Sequence, residues 1–506
     1  MVNPISTPIT TPQAQKPKTT MASIFYVNDI HSNLINLEKL KSASDAFDSF
    51  TPSDKTDKLK FSAGDISVGR DANFSKLGIA FENATHIMAS AAGNHEFDLY
   101  KEDLVDALKG NDYKLLGVNL KVPETFKENK EIRKEVTNSY VQEVNGTKYG
   151  VIGVMPFDFM FHLSDQNEYA DFDVLPIEKT IPLIQKEVDK FKEQGINKVV
   201  LLSHAGLAAD REIAQSVEGI DVIIGGHTHD LVKGVKEGKN LFYSKKTGEP
   251  TIITQAGRNG DYFGVLNLEF DDKGVITSAQ NNVTKSAPFE KSLIMKYLVD
   301  KIIGKPKVVG TIKSAPKHEH TLISENPSAD FVLDAERSEL GVDLVLINSG
   351  NFRSSFEPGE LTDRDLKTLT PFDNKVWVIK LTEKEIVDGI KIGAKSITEE
   401  DNMPGIIQCS GLKYTMTKSG EVKNITYIDK DGSEKSIDVN NPSTTKTYSV
   451  ATDDYVAKGG NGYFQNKEDS IITKYNFDKN KLVADYMKKL NAPVDIKLDN
   501  RITIVD

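Results

Sequence analysis

The sequence predicts an α/β protein of two domains. Three observations carry that expectation. Short apolar runs alternate with segments of helical periodicity over residues 23–290. Six of those runs end in a polar cluster, as strands do at the rim of an open sheet. The chain has 506 residues and is 38% hydrophobic, enough for more than one core.

The elements follow in order. Residues 1–22 are rich in Pro, Thr, Ser and Gln and read as a disordered arm. Ser23–Val27 reads as a strand, and Leu34, Leu37, Leu40 and Phe47 mark one face of the helix after it. Lys58–Ala63 is a second strand. Thr180 is placed to cap a helix carrying Ile181, Ile184, Val188 and Phe191 and ending near Gly195. Lys198–Ser203 and Ile220–Ile224 are buried-strand runs. Leu266–Phe270, before Asp271-Asp272-Lys273-Gly274, reads as half of a hairpin. A helix from about Glu290 to Ile303 and the segment to His320 read as a connector over 286–320. Beyond it come a strand at Leu344–Asn348, a strand at Lys375–Leu381, a helix at Glu383–Ala394, and two strands flanking Ser419-Gly420.

Composition excludes several classes. Net charge is −11, so there is no basic surplus for a nucleic-acid polymer or an anionic membrane. No run approaches the roughly 18 apolar residues of a membrane span. Cys409 is the only cysteine, so no intrachain disulfide forms. That fits a reducing compartment. The expected compartment is the cytoplasm, or an exported location if a signal segment precedes residue 1.

The polar clusters carry the chemistry. They are Asp29-Ile30-His31, Gly64-Asp65, Gly93-Asn94-His95-Glu96-Phe97-Asp98, Ser203-His204, Gly226-His227-Thr228-His229, and Gln255 to Gly260. Carboxylates, imidazoles and an amide oxygen suit divalent metals, and the absence of thiolates excludes a structural zinc finger. Each cluster alone is ordinary turn or cap chemistry; six in this order are not. Asp65, alone after its strand, suits a bridging carboxylate. Arg258 and Asn259 are candidates to reach a leaving group. His86, His162, His318 and His320 match no motif.

Residues 23–265 resemble the calcineurin-like metallophosphoesterase domain, in the motifs D-x-H, G-D, G-N-H-E and G-H-x-H. The spelling Gly93 to Asp98 further resembles the 5′-nucleotidase family. Glu325 to Arg337, Asn348 to Arg353, Pro371-Phe372-Asp373-Asn374 and Tyr455 to Tyr463 resemble that family's C-terminal substrate-binding domain. The resemblance implies a four-layer α/β/β/α sandwich over 23–285 and a smaller α/β substrate domain over 321–506. It implies two divalent ions, Zn, Mn or similar. The first would take Asp29, His31, Asp65 and His229; the second would take Asp65, Asn94, His204 and His227. His95 and Asp98 would form the catalytic dyad. Two cations about 3.5–4 Å apart would activate a bridging hydroxide for in-line attack on phosphorus.

Asn351, Arg353, Tyr455, Asn461 and Arg258 are the expected substrate contacts. An arginine fork suits phosphate, and a tyrosine ring suits a nucleobase. There are departures from the family pattern: Asn461 stands where an Asp is usual, Lys391 and Lys395 stand in an arginine-poor stretch, and 405–411 offers only aliphatic residues and Cys409. One ring with an aliphatic lid is therefore expected. The implied reaction is hydrolysis of nucleoside 5′-monophosphates by a monomer or dimer. The alternatives are a 2′,3′-cyclic-nucleotide phosphodiesterase or nucleotide-sugar pyrophosphatase on the same site, and a non-catalytic nucleotide-binding protein.

Overall fold

The computed structural model describes residues 19–52, 55–163, 167–316, 322–399 and 402–506. Residues 1–18 of the expected arm, the His318/His320 pair and the side chain of His162 lie outside the described residues.

The first half is built on two seven-stranded sheets. In one, Thr20–Val27, Asp57–Ser62, Ala89–Ala91 and Lys114–Leu116 run parallel, extended by the antiparallel hairpin Tyr262–Phe270 and Ile276–Lys285. In the other, Thr147–Val154, Val199–Ser203, Val222–Gly225 and Pro250–Ala256 run parallel. Most central strands are apolar on both faces, as strands covered on both sides tend to be, while Asp57–Ser62 turns Lys58 and Lys60 to its outer face. Ile24, Tyr26, Leu59 and Phe61 meet Val200, Leu202, Val222 and Ile224 between the sheets. Phe25 and Val27 face outward onto helices Leu34–Phe50, Ala72–Thr85 and Leu293–Ile303. Leu201 and Ile223 face outward onto helices Ile177–Glu193 and Leu207–Ser216. The result is the expected helix–sheet–sheet–helix sandwich, with the carboxyl ends of both sets of parallel strands on one rim.

Two local expectations are corrected. The first strand begins at Thr20, not Ser23, because Thr20, Met21 and Ala22 pair with Phe270, Glu269 and Leu268. Thr180 does not cap its helix. That helix starts at Ile177 after Pro176, and the Thr180 hydroxyl donates to the Leu175 and Pro176 carbonyls inside the first turn. The 286–320 segment packs against both units. Met295 and Val299 are buried in the first unit's core, whereas Val308–Ser314 pairs with Gly359–Thr362 in the second unit.

The second unit centres on a five-stranded sheet, in the order Ile407–Ser410, Leu344–Asn348, Thr447–Asp453, Val376–Thr382 and Ile471–Lys474. Leu344 and Leu346 face helix Glu383–Lys395 on one side. Val345 and Ile347 face helices Pro327–Leu340 and Lys479–Leu490 on the other. Thr382 and Glu385 form a capping box, which fixes where Glu383–Lys395 starts. Among the described residues no helix is long and apolar enough to cross a membrane.

Candidate active site

The turns after the first two strands are tied to each other. Asp29 N donates to Gly64 O at 2.9 Å, His31 N to Asp65 O at 3.0 Å, and Ser32 N to Ile66 O at 2.9 Å. This ladder sets the Asp29/His31 and Asp65 side chains side by side. Gly64 has φ +91°, and a Cβ there would lie 2.9 Å from Ala91 O, so the close turn requires glycine. At Gly93 a Cβ would fall 2.1 Å from Asp65 Oδ1. Asp29, His31, Asp65, His227 and His229 all hold left-handed backbone conformations. Such strain in non-glycine residues concentrates at functional sites, where surrounding contacts enforce it.

The side chains converge. Oxygens and ring nitrogens of Asp29, His31 and His229 lie within 4.8 Å of one another, as do those of Asp29, Asp65 and His204, and of His31, Asp65 and His95. His204 Nε2 is 3.0 Å from Asp65 Oδ2 and 3.7 Å from Asp29 Oδ1. His31 Nε2 is 3.5 Å from Asp65 Oδ2, and His229 Nε2 is 3.4 Å from Asp29 Oδ1. Asp29 also accepts from His227 N and from Asn28 Nδ2. The His204 Nδ1–H donates to Ala63 O at 2.6 Å, which turns Nε2 toward the two carboxylates.

The donor set fits divalent cations. The Nδ1 of His31 and the Oδ1 of Asn94 are buried without a hydrogen-bond partner among the described residues. Orphaned polar atoms are costly in a protein interior, and a metal ion removes that cost. Electrostatics agree. Burial works against charge on Asp29 and Asp65. Even so, His204 with His229 draws Asp29 down to about 2, and His204 with His95 holds Asp65 well below the usual carboxylate range. His204 in turn is lifted to about 10 against burial by those carboxylates. In the metal-free chain its proton offsets charge that a cation would offset when bound. Burial lowers His31 to about 3 and His229 to about 4, which leaves both imidazoles neutral and able to ligate.

His227 sits differently. Its Nε2 is 3.1 Å from Asp158 Oδ1, and it joins none of the three convergent groups. Asp158 was not visible as a partner in the sequence. His95 Nδ1 bonds Asp98 Oδ2 at 2.7 Å, and its Nε2 is 4.0 Å from Asp65 Oδ2. Against burial, Asp98 and Asp65 raise the His95 imidazolium above its ordinary value. Asp98 also accepts from Gly69 N at 2.7 Å.

Glu96 was quoted in its motif but given no role. Its carboxylate accepts from Gly93 N at 2.8 Å and from Asp65 N and Ile66 N at 3.0 Å. It therefore holds the Asp65 turn against the Gly93–Asp98 turn. Burial and Asp65 push its carboxyl up to about 7.

The second unit reaches this rim. The Arg353 guanidinium lies 5.3 Å from the Phe372 ring centre, and that ring is 6.4 Å from His95. Burial lowers Arg353, while Asp65, Asp98 and Asp29 stabilise its charge from across the boundary. Arg258 is pushed down to about 10 by burial and by Arg353 itself. Tyr455 packs its ring against Gly460 and lies within the field of Asp98.

Two expectations for the pocket change. Asn351 is 2% exposed; its amide donates to Asp453 at 2.6 Å and accepts from Lys479 at 3.1 Å. Its side chain thus braces the turn before Arg353. The aliphatic lid is also absent, because Ile406, Ile407 and Cys409 are buried in the second unit's core. The aromatic at the rim is Phe372. Lys391 donates to Val439 O, away from the site. Asn461 accepts from Asn348 at 3.1 Å.

Residues 22–231 match the family described as calcineurin-like phosphoesterase, and residues 308–467 match the 5′-nucleotidase C-terminal domain. The chain belongs to the 5′-nucleotidase family. It is 27% identical to a snake venom 5′-nucleotidase of Naja atra, over 81% of this chain and 82% of that protein. It is 26% identical to the trifunctional nucleotide phosphoesterase protein YfkN of Bacillus subtilis over 95% of this chain, which spans only 34% of that relative. The fold matches the crystal structure of a 5′-nucleotidase precursor from Thermus thermophilus, with TM-score 0.77, 22% identity, and coverage of 96% of this chain and 99% of that one. The chain is a metal-dependent phosphoester hydrolase.

Proposed function

We propose that the chain hydrolyses nucleoside 5′-monophosphates at a two-metal centre served by a His95–Asp98 dyad. One observation carries the substrate reading. Two arginines from different units, Arg258 and Arg353, are desolvated beside a carboxylate–imidazole cluster, and Arg353 lowers the basicity of Arg258. Like charges brought together under desolvation favour an anion between them.

Asp29, His31, Asp65 and His229 would hold one cation, and Asp65, Asn94, His204 and His227 the other. When bound, such cations act as Lewis acids toward a phosphoryl group and its attacking water. The chain's own residues do the rest. Asp98 fixes the His95 ring and stabilises its imidazolium, whose other nitrogen faces the cluster to offset charge building on phosphoryl oxygens. Asp158 orients His227. Arg353 and Arg258 orient the phosphate. Tyr455 and Phe372 offer ring faces to a base. We also place the division between the units at Gly304–Lys307, between the docked helix and the strand Val308–Ser314.

A second reading, hydrolysis of 2′,3′-cyclic nucleotides or nucleotide-sugars, is favoured by the likeness to a relative named for three nucleotide phosphoesterase activities. A non-catalytic binding protein would be expected to have lost a ligand or the dyad, and this sequence retains them all. Comparing kcat/KM across nucleoside monophosphates, cyclic nucleotides, nucleotide-sugars and simple monoesters tests the reading. Nucleoside 5′-monophosphates should rank first; finding them among the poorest substrates overturns it.

A further inference from the structure

Three segments of the second unit carry the groups proposed to hold substrate: the turn ending at Arg353, the segment around Phe372, and the stretch before Tyr455. One buried ion pair joins all three. Lys479 is 1% exposed and Asp453 is fully buried. Lys479 Nζ lies 2.7 Å from Asp453 Oδ1 and donates to Asp453 Oδ2 at 3.0 Å. It also donates to Asn351 Oδ1 at 3.1 Å, and Asn351 Nδ2 donates to Asp453 Oδ2 at 2.6 Å. Asn351 stands two residues before Arg353, whose own N–H donates to Leu369 O at 2.8 Å. Asn374, two residues after Phe372, hydrogen-bonds the Asp453 carboxylate. Asp453 itself stands two residues before Tyr455, and Asp454 N donates to Lys375 O at 2.8 Å.

The helix that brings in Lys479 makes a second tie. Asn480 Oδ1 accepts from the Thr370 hydroxyl at 2.7 Å, so the start of helix Lys479–Leu490 holds the Phe372 segment from before and, through Asp453, from after. This placement is costly. Lys479 is the first residue of its helix, where the dipole disfavours a cation. Glu336, 0% exposed, lies in the field of the pair, and burial pushes its carboxyl up to about 8 despite Lys479. Two buried charges often stabilise a fold no more than apolar side chains of the same volume. What a fully hydrogen-bonded pair does supply is one fixed geometry.

We infer that Lys479 and Asp453 are positioning residues for the substrate: their pair fixes Arg353, Phe372 and Tyr455 relative to one another, so that phosphate and base are recognised together. Both residues are buried and act through those three side chains. The inference rests on the pocket proposed above and extends it to a pair of residues outside every motif of the sequence. Metal binding is a separate matter, because the cation ligands all come from the first unit.

The test compares the full chain with Asp453→Asn, Lys479→Met and Arg353→Ala, each assayed below its own Tm. Asp453→Asn sets a new NH₂ among donors from Asn351, Asn374 and Lys479, while Glu336 remains to balance Lys479. The readings are KM for adenosine 5′-monophosphate, the inhibition constant for inorganic phosphate, and Mn²⁺ affinity by calorimetry. In Asp453→Asn and Lys479→Met, KM and the phosphate constant should both rise by about tenfold or more, since small displacements of binding groups are expensive. Mn²⁺ affinity should stay at the wild-type value. Unchanged KM and phosphate inhibition in Asp453→Asn, with phosphate inhibition weakened in Arg353→Ala, overturn this inference alone. A parallel loss of Mn²⁺ affinity also overturns it, because a general loosening of the fold would then account for the result. Unchanged phosphate inhibition in Arg353→Ala overturns the pocket reading and this inference with it.

Discussion

Glu96 offers a sharp test, because its carboxylate is engaged by backbone N–H groups and is placed to control metal affinity. Its two oxygens accept three backbone N–H groups, from Gly93, Asp65 and Ile66. In Glu96→Gln the remaining carbonyl oxygen can keep Gly93 and Asp65. The new NH₂ then faces the Ile66 N–H, donor against donor. One buried, unsatisfied donor costs about 1–3 kcal/mol. Asp65 sits on that turn, so the same free energy falls on its presentation to the metals. At 1.4 kcal/mol per decade this is roughly a 5- to 150-fold loss of metal affinity. Glu96→Ala orphans all three donors, and with water filling part of the space the expected stability loss is about 3–5 kcal/mol. The assay is Mn²⁺ titration by calorimetry, paired with turnover at rising metal concentration. Glu96→Gln should regain most of its kcat at saturating metal. A variant with wild-type metal affinity and unfolding midpoint would refute the reasoning.

Other expectations follow from the same geometry. The His95 folded-state pKa lies above its ordinary value, so a reaction that needs the imidazolium holds at low pH and declines as pH rises through the folded pKa. Asp98→Asn should move that basic limb downward and cut kcat by about 10²–10⁴ at neutral pH with metal content unchanged; an unmoved limb in the kcat–pH profile counts against the dyad. Arg353→Lys keeps the charge but loses the planar fork, so KM for the phosphoester and the inhibition constant for inorganic phosphate should both rise; unchanged phosphate inhibition would remove Arg353 from the site. Lys479 is 1% exposed and lies 2.7 Å from the fully buried Asp453. Lys479→Met should therefore destabilise the chain by about 3–5 kcal/mol in denaturant titration, and a loss below 1 kcal/mol would show that the pair does not hold the Arg353 turn.

The first unit was legible in the sequence because its functional groups sit at strand ends, where an apolar run and the residues after it are adjacent in the chain. Asp29, His31, Asp65, His95, His204 and His229 are brought together as that pattern implies. What spacing hides is burial and long-range approach. Asn351 reads as a ligand contact beside Arg353, but its amide is engaged by Asp453 and Lys479, each more than a hundred residues away. Asp158 meets His227 across a separation of 69 residues, with nothing local to mark it. Phe372 comes to the rim only because the two units meet there; from the chain alone, the 405–411 stretch was the natural place to look for the pocket's second wall. Glu96 was in plain view, but a motif does not show that a carboxylate faces three backbone N–H groups.

The most direct measurement is phosphate release from a nucleoside 5′-monophosphate by the EDTA-stripped chain before and after Mn²⁺ or Zn²⁺ is restored, in the wild type and in Asp65→Asn. The account predicts no turnover without metal, recovery in the wild type, and none in Asp65→Asn, where the carboxylate proposed to serve both cations is gone. Turnover that persists without metal, or full recovery in Asp65→Asn, would contradict it.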